Sequence, residues 1–242
     1  MTRLPLFILL TTILSIPVCA KYTHPPYRQY TLRDGLSQMQ VISLFQDSRG
    51  YIWAGTKKGV NCFNGEKFIP FTTKDGLPND FILQIAEDDN SNIWVATREG
   101  LACYDGVTFR SFPINDQVTI SFTPTPDGKI WYIGSDRHRN QLFGYLENGK
   151  YIDKTKEAPK LNLSSQSTIG FDRKNDRLFI SDIQKTYEIK NNSLQQLSPA
   201  IDSLEIIKND STVFFLRRID HKFWKIYGFE QGKLTLFAEN IP

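Results

Sequence analysis

Cysteine is scarce in this chain, with three among 242 residues, and histidine is equally rare. Cys19 falls in the apolar leading segment, so only Cys62 and Cys103 remain beyond it. Two cysteines cannot form the disulfide framework of a small secreted scaffold. His24, His138 and His221 form no HExxH and no Cys/His zinc spacing. A Gly-x-Ser-x-Gly nucleophile elbow and a phosphate-cradling glycine loop are also missing. No charge of one sign dominates: setting Arg3 aside, 28 basic residues face 26 acidic ones, a net charge of +2 with the signs interspersed. That balance gives no electrostatic footprint for nucleic acid or an anionic membrane. After residue 20 no apolar run is long enough to span a bilayer, and no long 3.6-residue period argues for an α/β fold.

Residues 1–20 read as a separate object. Arg3 supplies a positive start, Leu4 to Ile16 an apolar run, and Val18-Cys19-Ala20 small residues at −3 and −1 of a cleavage site. This is the pattern of a secretory signal peptide, with retention as an uncleaved anchor as the alternative. A lipidated Cys19 fits less well, because Ile16-Pro17-Val18 lacks the small residue expected before it.

The most informative feature is repetition. The segment from Asp34 to Phe71 returns 41 residues later, from Asp75 to Phe112, with 12 identities over 38 ungapped positions. Asp34-Gly35-Leu36 becomes Asp75-Gly76-Leu77, and Ile52-Trp53 becomes Ile93-Trp94. Asp47, Thr56, Gly59, Cys62, Gly65, Phe68 and Phe71 return as Asp88, Thr97, Gly100, Cys103, Gly106, Phe109 and Phe112. A third unit carries Ile130-Trp131, a fourth puts Phe179 where Trp stood, and a fifth runs through Trp224 to Leu234. A period near 40 residues with one aromatic marker per unit is the signature of a radial β-repeat.

Within one unit, runs of β-branched and aromatic residues alternate with turn formers. Ile93 to Thr97 is a strand, Glu99-Gly100 a turn, Leu101 to Tyr104 a strand, and Asp105-Gly106 a two-residue hairpin signal. Four short antiparallel strands per unit make a propeller blade. The expected fold is therefore all-β, a β-propeller of four-stranded antiparallel blades, about five of them present and the propeller incomplete. The units run over 30–71, 72–112, 113–155, 156–197 and 198–242. Trp53, Trp94 and Trp131 should fill the space between sheets, each burying roughly 200 Å². Gly65 and Gly106 should supply the positive φ of hairpin turns.

Two further readings follow from the repeat. Cys62 and Cys103 occupy the same place on adjacent sheets, about 10 Å apart, beyond the ~7 Å Cα limit of a disulfide. Two free, buried thiols acting as small hydrophobes are expected. Asp88, Asn90, Asn92 and Glu99 match positions 1, 3, 5 and 12 of a calcium loop, but the required glycine at position 6 is Ile93. The match is rejected, and no metal or other cofactor is expected.

The string Asp34-Gly35-Leu36-Ser37, Gln46-Asp47-Ser48-Arg49-Gly50-Tyr51-Ile52-Trp53-Ala54-Gly55-Thr56, Gly59-Val60 and Phe63-Asn64-Gly65 resembles the two-component regulator propeller repeat. Asp75-Gly76-Leu77-Pro78-Asn79, Ile93-Trp94-Val95-Ala96-Thr97 and Gly100-Leu101 match it equally well. The resemblance implies the periplasmic sensor region of a bacterial hybrid two-component sensor histidine kinase. It also implies a response to oligosaccharides, signalling through a homodimer, and a kinase in the remainder of the sensor. The expected function is thus a periplasmic ligand-sensing segment, non-catalytic itself, exported through the leader. Because such propellers usually close with seven blades, the chain is expected to be the amino-terminal part of a longer sensor or a truncated gene product, with a self-closed five-blade ring as the weaker alternative.

Two other functions stand beside it: a secreted binding scaffold without a signalling role, and a propeller lyase or glycosidase with residues scattered over several blades. For ligand contact, the irregular segment Ser135-Asp136-Arg137-His138-Arg139-Asn140 is the candidate, with Arg137, His138 and Arg139 as its contact residues. Its bland alternative is a solvated loop.

Overall fold

The structure is a computed structural model that describes residues 28–114, 117–158, 160–164, 167–173, 175–182, 185–190, 193–197, 204–209, 212–218, 224–230 and 233–241. The expected signal peptide at 1–20 lies outside the described residues. The chain divides into Met1–Tyr30 and Thr31–Pro242. In the first unit the Arg28 guanidinium lies 4.8 Å over the Tyr30 ring.

Among the described residues the second unit holds five four-stranded antiparallel sheets, each a simple meander. The first comprises β1 (Ser43–Gln46), β2 (Ile52–Thr56), β3 (Gly59–Phe63) and β4 (Phe68–Phe71). The second comprises β5 (Ile82–Glu87), β6 (Ile93–Thr97), β7 (Gly100–Tyr104) and β8 (Phe109–Pro113). The third comprises β9 (Gln117–Pro124), β10 (Ile130–Asp136), β11 (Gln141–Glu147) and β12 (Lys150–Asp153). The fourth comprises β13 (Thr168–Asp172), β14 (Arg177–Ser181), β15 (Thr186–Lys190) and β16 (Ser193–Gln196). The fifth comprises β17 (Leu204–Asn209), β18 (Thr212–Arg218), β19 (Trp224–Glu230) and β20 (Lys233–Ile241). The first strands of successive sheets, β1, β5, β9, β13 and β17, lie side by side. This is the blade arrangement of a β-propeller.

The repeated residues have local physical reasons. Thr31 and Thr72 each close a capping box with Asp34 and Asp75, which winds a single 3-10 turn before the blade. Gly35 and Gly76 follow with φ of 96° and 104°. A Cβ at either would sit 2.2 or 2.5 Å from the carbonyl oxygen of Phe68 or Phe109, so both conformation and space demand glycine. Leu36 and Leu77 are then carried into the core. Gly65 and Gly106 also have positive φ, as expected of their hairpins.

Strand alternation divides the apolar residues between two interfaces. Along β6, Ile93 and Val95 join Trp53, Val60 and Cys62 of the first blade. Trp94 and Ala96 turn the other way and join Phe122, Ile130, Tyr132 and Leu146 of the third. Trp131 packs toward Ile169, Leu178 and Ile180 of the fourth. The tryptophans therefore fill the inter-blade space as the repeat predicts, although Trp131 is only half-buried.

Polar groups join the inner strands. The Gln84 amide on β5 donates to Phe122 O and accepts from Phe122 N, both at 2.9 Å, and it also accepts from Ser121 Oγ at 2.9 Å. Ser121 Oγ in turn accepts from Ile169 N at 3.2 Å, linking the second, third and fourth blades.

Candidate functional site

The site forms where the second and third blades meet, and its parts are set by the repeat. On β6, Trp94 is held by a carboxylate six residues earlier: its Nε1 donates to Asp88 Oδ2 at 2.8 Å. Asp88 also accepts from Asn90 N, Asn92 N and Asn92 Nδ2 at 2.9 to 3.0 Å. Its oxygens are thus committed to the turn and the indole, which gives a structural account of the residue that matched position 1 of a calcium loop. The first blade has the same bracket. Trp53 Nε1 donates to Asp47 Oδ2 at 3.0 Å, and Asp47 also accepts from Arg49 N, Tyr51 N and Arg49 Nη2. Burial opposes ionisation of Asp47, but hydrogen bonds from Trp53, Tyr51 and Arg49 outweigh it and hold the carboxyl below its ordinary value.

Trp94 stacks on Phe112 of β8 with ring centroids 5.5 Å apart and planes inclined by 23°. These two rings, with Cys103 of β7 and Ile130 and Leu146 of the third blade, line a cleft of about 510 Å³. Its rim is polar: Asn92, Asp105 and Arg110 come from the second blade, and Asn148 from the third. The volume falls within the range of small-ligand sites. The Arg110 guanidinium lies 5.2 Å over Phe112 and makes no ion pair among the described residues. Asp105 Oδ1 accepts from Val107 N and Thr108 N at 2.9 Å, and the bonds from Thr108 and Val107 lower its pKa.

The cleft also corrects the expectation for the thiols. Both cysteines are free, but Cys103 is only half-buried, because it borders the cleft, whereas Cys62 is buried. Burial, with Asp47 adding to it, pushes the Cys62 thiol up to about 11. Burial, with Asp88 and Asp105 adding to it, pushes the Cys103 thiol up to about 12. Neither is a thiolate nucleophile near neutrality.

Arg137, His138 and Arg139 lie elsewhere, on the exposed turn between β10 and β11. The irregularity there has a local cause. Asp136 accepts from His138 N and Asn140 N at 2.8 Å and from Asn140 Nδ2 at 2.7 Å, with Arg139 at a φ of 63°. The three residues are neighbours on one turn and do not border the cleft. Sequence reasoning passed over Arg110 and Leu146 and weighed Asn92 only as a calcium-loop position. The signal lay in departures from the repeat, since Asn92 replaces Tyr51 and Arg110 replaces Ile69.

Comparison with known proteins bears on the same blades. A family model described as the two component regulator propeller matches residues 35–58 and 76–99. Histidine kinase P4 of Formosa agariphila is 38% identical over 61 residues, covering 25% of this chain and 4% of the kinase. Among solved structures, one described as the extracellular domain of a hybrid two component system, BT3049 of B. thetaiotaomicron, aligns with a TM-score of 0.60 at 18% identity. It covers 87% of this chain and 31% of the other. The corresponding domain of BT4673 aligns with a TM-score of 0.57 at 14% identity, covering 88% and 35%. The chain thus spans 4% of the curated kinase and about a third of each solved chain. At these identities the structural likeness establishes the propeller fold. No helix among the described residues is long and apolar enough to cross a membrane.

Proposed function

From the premise that the first two blades are two-component regulator propeller repeats, we propose that this chain is the extracytoplasmic ligand-sensing segment of a two-component regulatory sensor. The observation that carries the reading is the family match to both units, at residues 35–58 and 76–99. It is supported by the local identity to a histidine kinase and by likeness to extracellular domains of hybrid two component systems. In this reading the segment lies in the periplasm after export through residues 1–20. It binds an oligosaccharide or another small ligand and passes a change of shape to a histidine kinase, with a homodimer as the signalling unit. The role is binding rather than catalysis, and needs no cofactor. Arg137, His138 and Arg139 remain candidate ligand contacts, on an exposed turn separate from the inter-blade cleft.

The physical requirement is differential affinity: a ligand shifts a sensor only by preferring one of its states. The test is transcriptional. Wild-type cells of the encoding organism and cells with this segment deleted in frame are grown on a panel of polysaccharides, and transcripts are compared. Loss of induction of one polysaccharide-use gene set is expected. Identical profiles on every carbon source would sink the proposal and favour the scaffold reading.

A further inference from the structure

The first and second blade interfaces are copies of one design, but the second has Leu146 where the first has Tyr104, while Tyr132 and Phe122 stand where the first has Val95 and Ile85. In the first interface, Tyr104 on β7 faces back onto the first blade. Its ring centroid lies 5.5 Å from Trp53, 5.5 Å from Phe71 and 4.9 Å from Phe109. Trp53 and Phe71 themselves stack at 6.2 Å. In the second interface the platform is preserved as Trp94 on Phe112 at 5.5 Å. The residue that should lie against it is fixed by strand register. Tyr104 pairs with Ile93 on β6, and Leu146 pairs with Ile130, the matching position of β10. Both face the preceding blade, so Leu146 occupies the place of Tyr104. Where one interface has a phenol ring, the other has an isobutyl group and the cleft.

The rim changes in the same comparison. Asn92 and Arg110, which line the cleft, stand where the first repeat has Tyr51 and Ile69. A guanidinium that donates and a carboxylate that accepts, Arg110 and Asp105, then border the same opening. The second oxygen of Asp105 accepts no hydrogen bond among the described residues. An apolar cleft with a donor and an acceptor among its lining residues suits a ring that carries a hydroxyl group.

We propose that the cleft between the second and third blades binds a hydroxylated six-membered ring, seated against Trp94 and Phe112 where Tyr104 sits one interface earlier. The apolar face of the ring covers the aromatic wall, and a hydroxyl lies between Arg110 and Asp105. A phenol and a terminal pyranose share this chemistry. The inference rests on the blade interface and stands whether or not the chain signals.

The chain is titrated separately with p-cresol and with methyl β-glucopyranoside, following tryptophan emission and ligand-detected saturation-transfer NMR. Half-saturation by at least one probe at about 1 mM or below is expected. Which probe binds identifies the ring as phenolic or sugar. Leu146→Tyr restores the filling of the first interface and should weaken binding at least ~10-fold, equivalent to about 1.4 kcal/mol. Arg110→Ile restores the first-repeat residue at an exposed position without entering the core, and should weaken binding at least about 10-fold through loss of one charged hydrogen bond. Should Leu146→Tyr not fold, Arg110→Ile decides alone. No binding of either probe at about 20 mM, well above the expected half-saturation, overturns the proposal. Undiminished binding in the folded variants overturns it equally.

Discussion

Removing the Asp47 carboxylate should unseat a buried tryptophan. Asp47 is 4% exposed and receives four donors: Arg49 N, Tyr51 N, Trp53 Nε1 and Arg49 Nη2. In Asp47→Ala the Trp53 indole N–H loses its partner while the ring, 1% exposed, stays buried. An unsatisfied buried donor costs about 1–3 kcal/mol. The two turn N–H groups lie nearer solvent and add about 0.5–1 kcal/mol together. The Arg49 contact, with that side chain 41% exposed, adds only a few tenths of a kcal/mol. A loss of about 3 kcal/mol is expected, read as a fall in the urea midpoint. A double-mutant cycle with Trp53→Phe isolates the bond: Phe has no N–H to strand, so a coupling of about 1–2 kcal/mol should appear. A loss under about 1 kcal/mol, or strict additivity with Trp53→Phe, would refute the reasoning. The pH dependence follows in sign. Asp47 has a lowered pKa in the fold, so its stabilisation is complete above the ordinary carboxylate value of about 3.9 and fades as pH falls through the lower folded value. Asp47→Ala should flatten the acid limb of the stability curve in that window.

Other perturbations separate neighbouring claims. Leu44 and Ile85 hold the same repeat position but are 69% and 5% exposed, so Leu44→Ser should cost under about 0.5 kcal/mol and Ile85→Ser about 3 kcal/mol in thermal or urea melts. Gly35→Ala should cost well over about 2 kcal/mol, because its Cβ would meet the Phe68 carbonyl at 2.2 Å. Gly65→Ala, at a similar φ but in open space, should cost only about 1 kcal/mol. Iodoacetamide at pH 7.5 should leave both thiols unmodified in the folded chain and label both after denaturation, read by intact mass, since their pKa values stand near 11 and 12.

How much of this was readable beforehand depends on the range of the interaction. The hairpins, the blade meander and the places of Trp53 and Trp94 follow from residues within one strand or turn. Even the faint fourth unit was read in register, since Phe179 takes the strand position of the tryptophans. The repeated Asp47 and Asp88 were visible as turn formers, but their hold on an indole is a through-space contact that a turn propensity does not contain. The cleft was hidden for a different reason. It arises from residues that break the repeat, Arg110 and Asn92 on one side and Leu146 on the other, and Leu146 lies in a unit whose alignment is weak. A search for what recurs finds the scaffold, whereas the opening in it is found by what does not recur. The half-buried state of Cys103 has the same origin: Cys62 faces a filled interface and Cys103 an open one.

Reading the gene past the codon for Pro242 tests whether this propeller is, as proposed, the sensing segment of a two-component regulator. A frame that continues through further propeller repeats and a membrane-spanning helix into a histidine kinase is expected. A stop codon at that point, with no kinase gene beside it, would contradict the sensor reading and leave a secreted binding propeller.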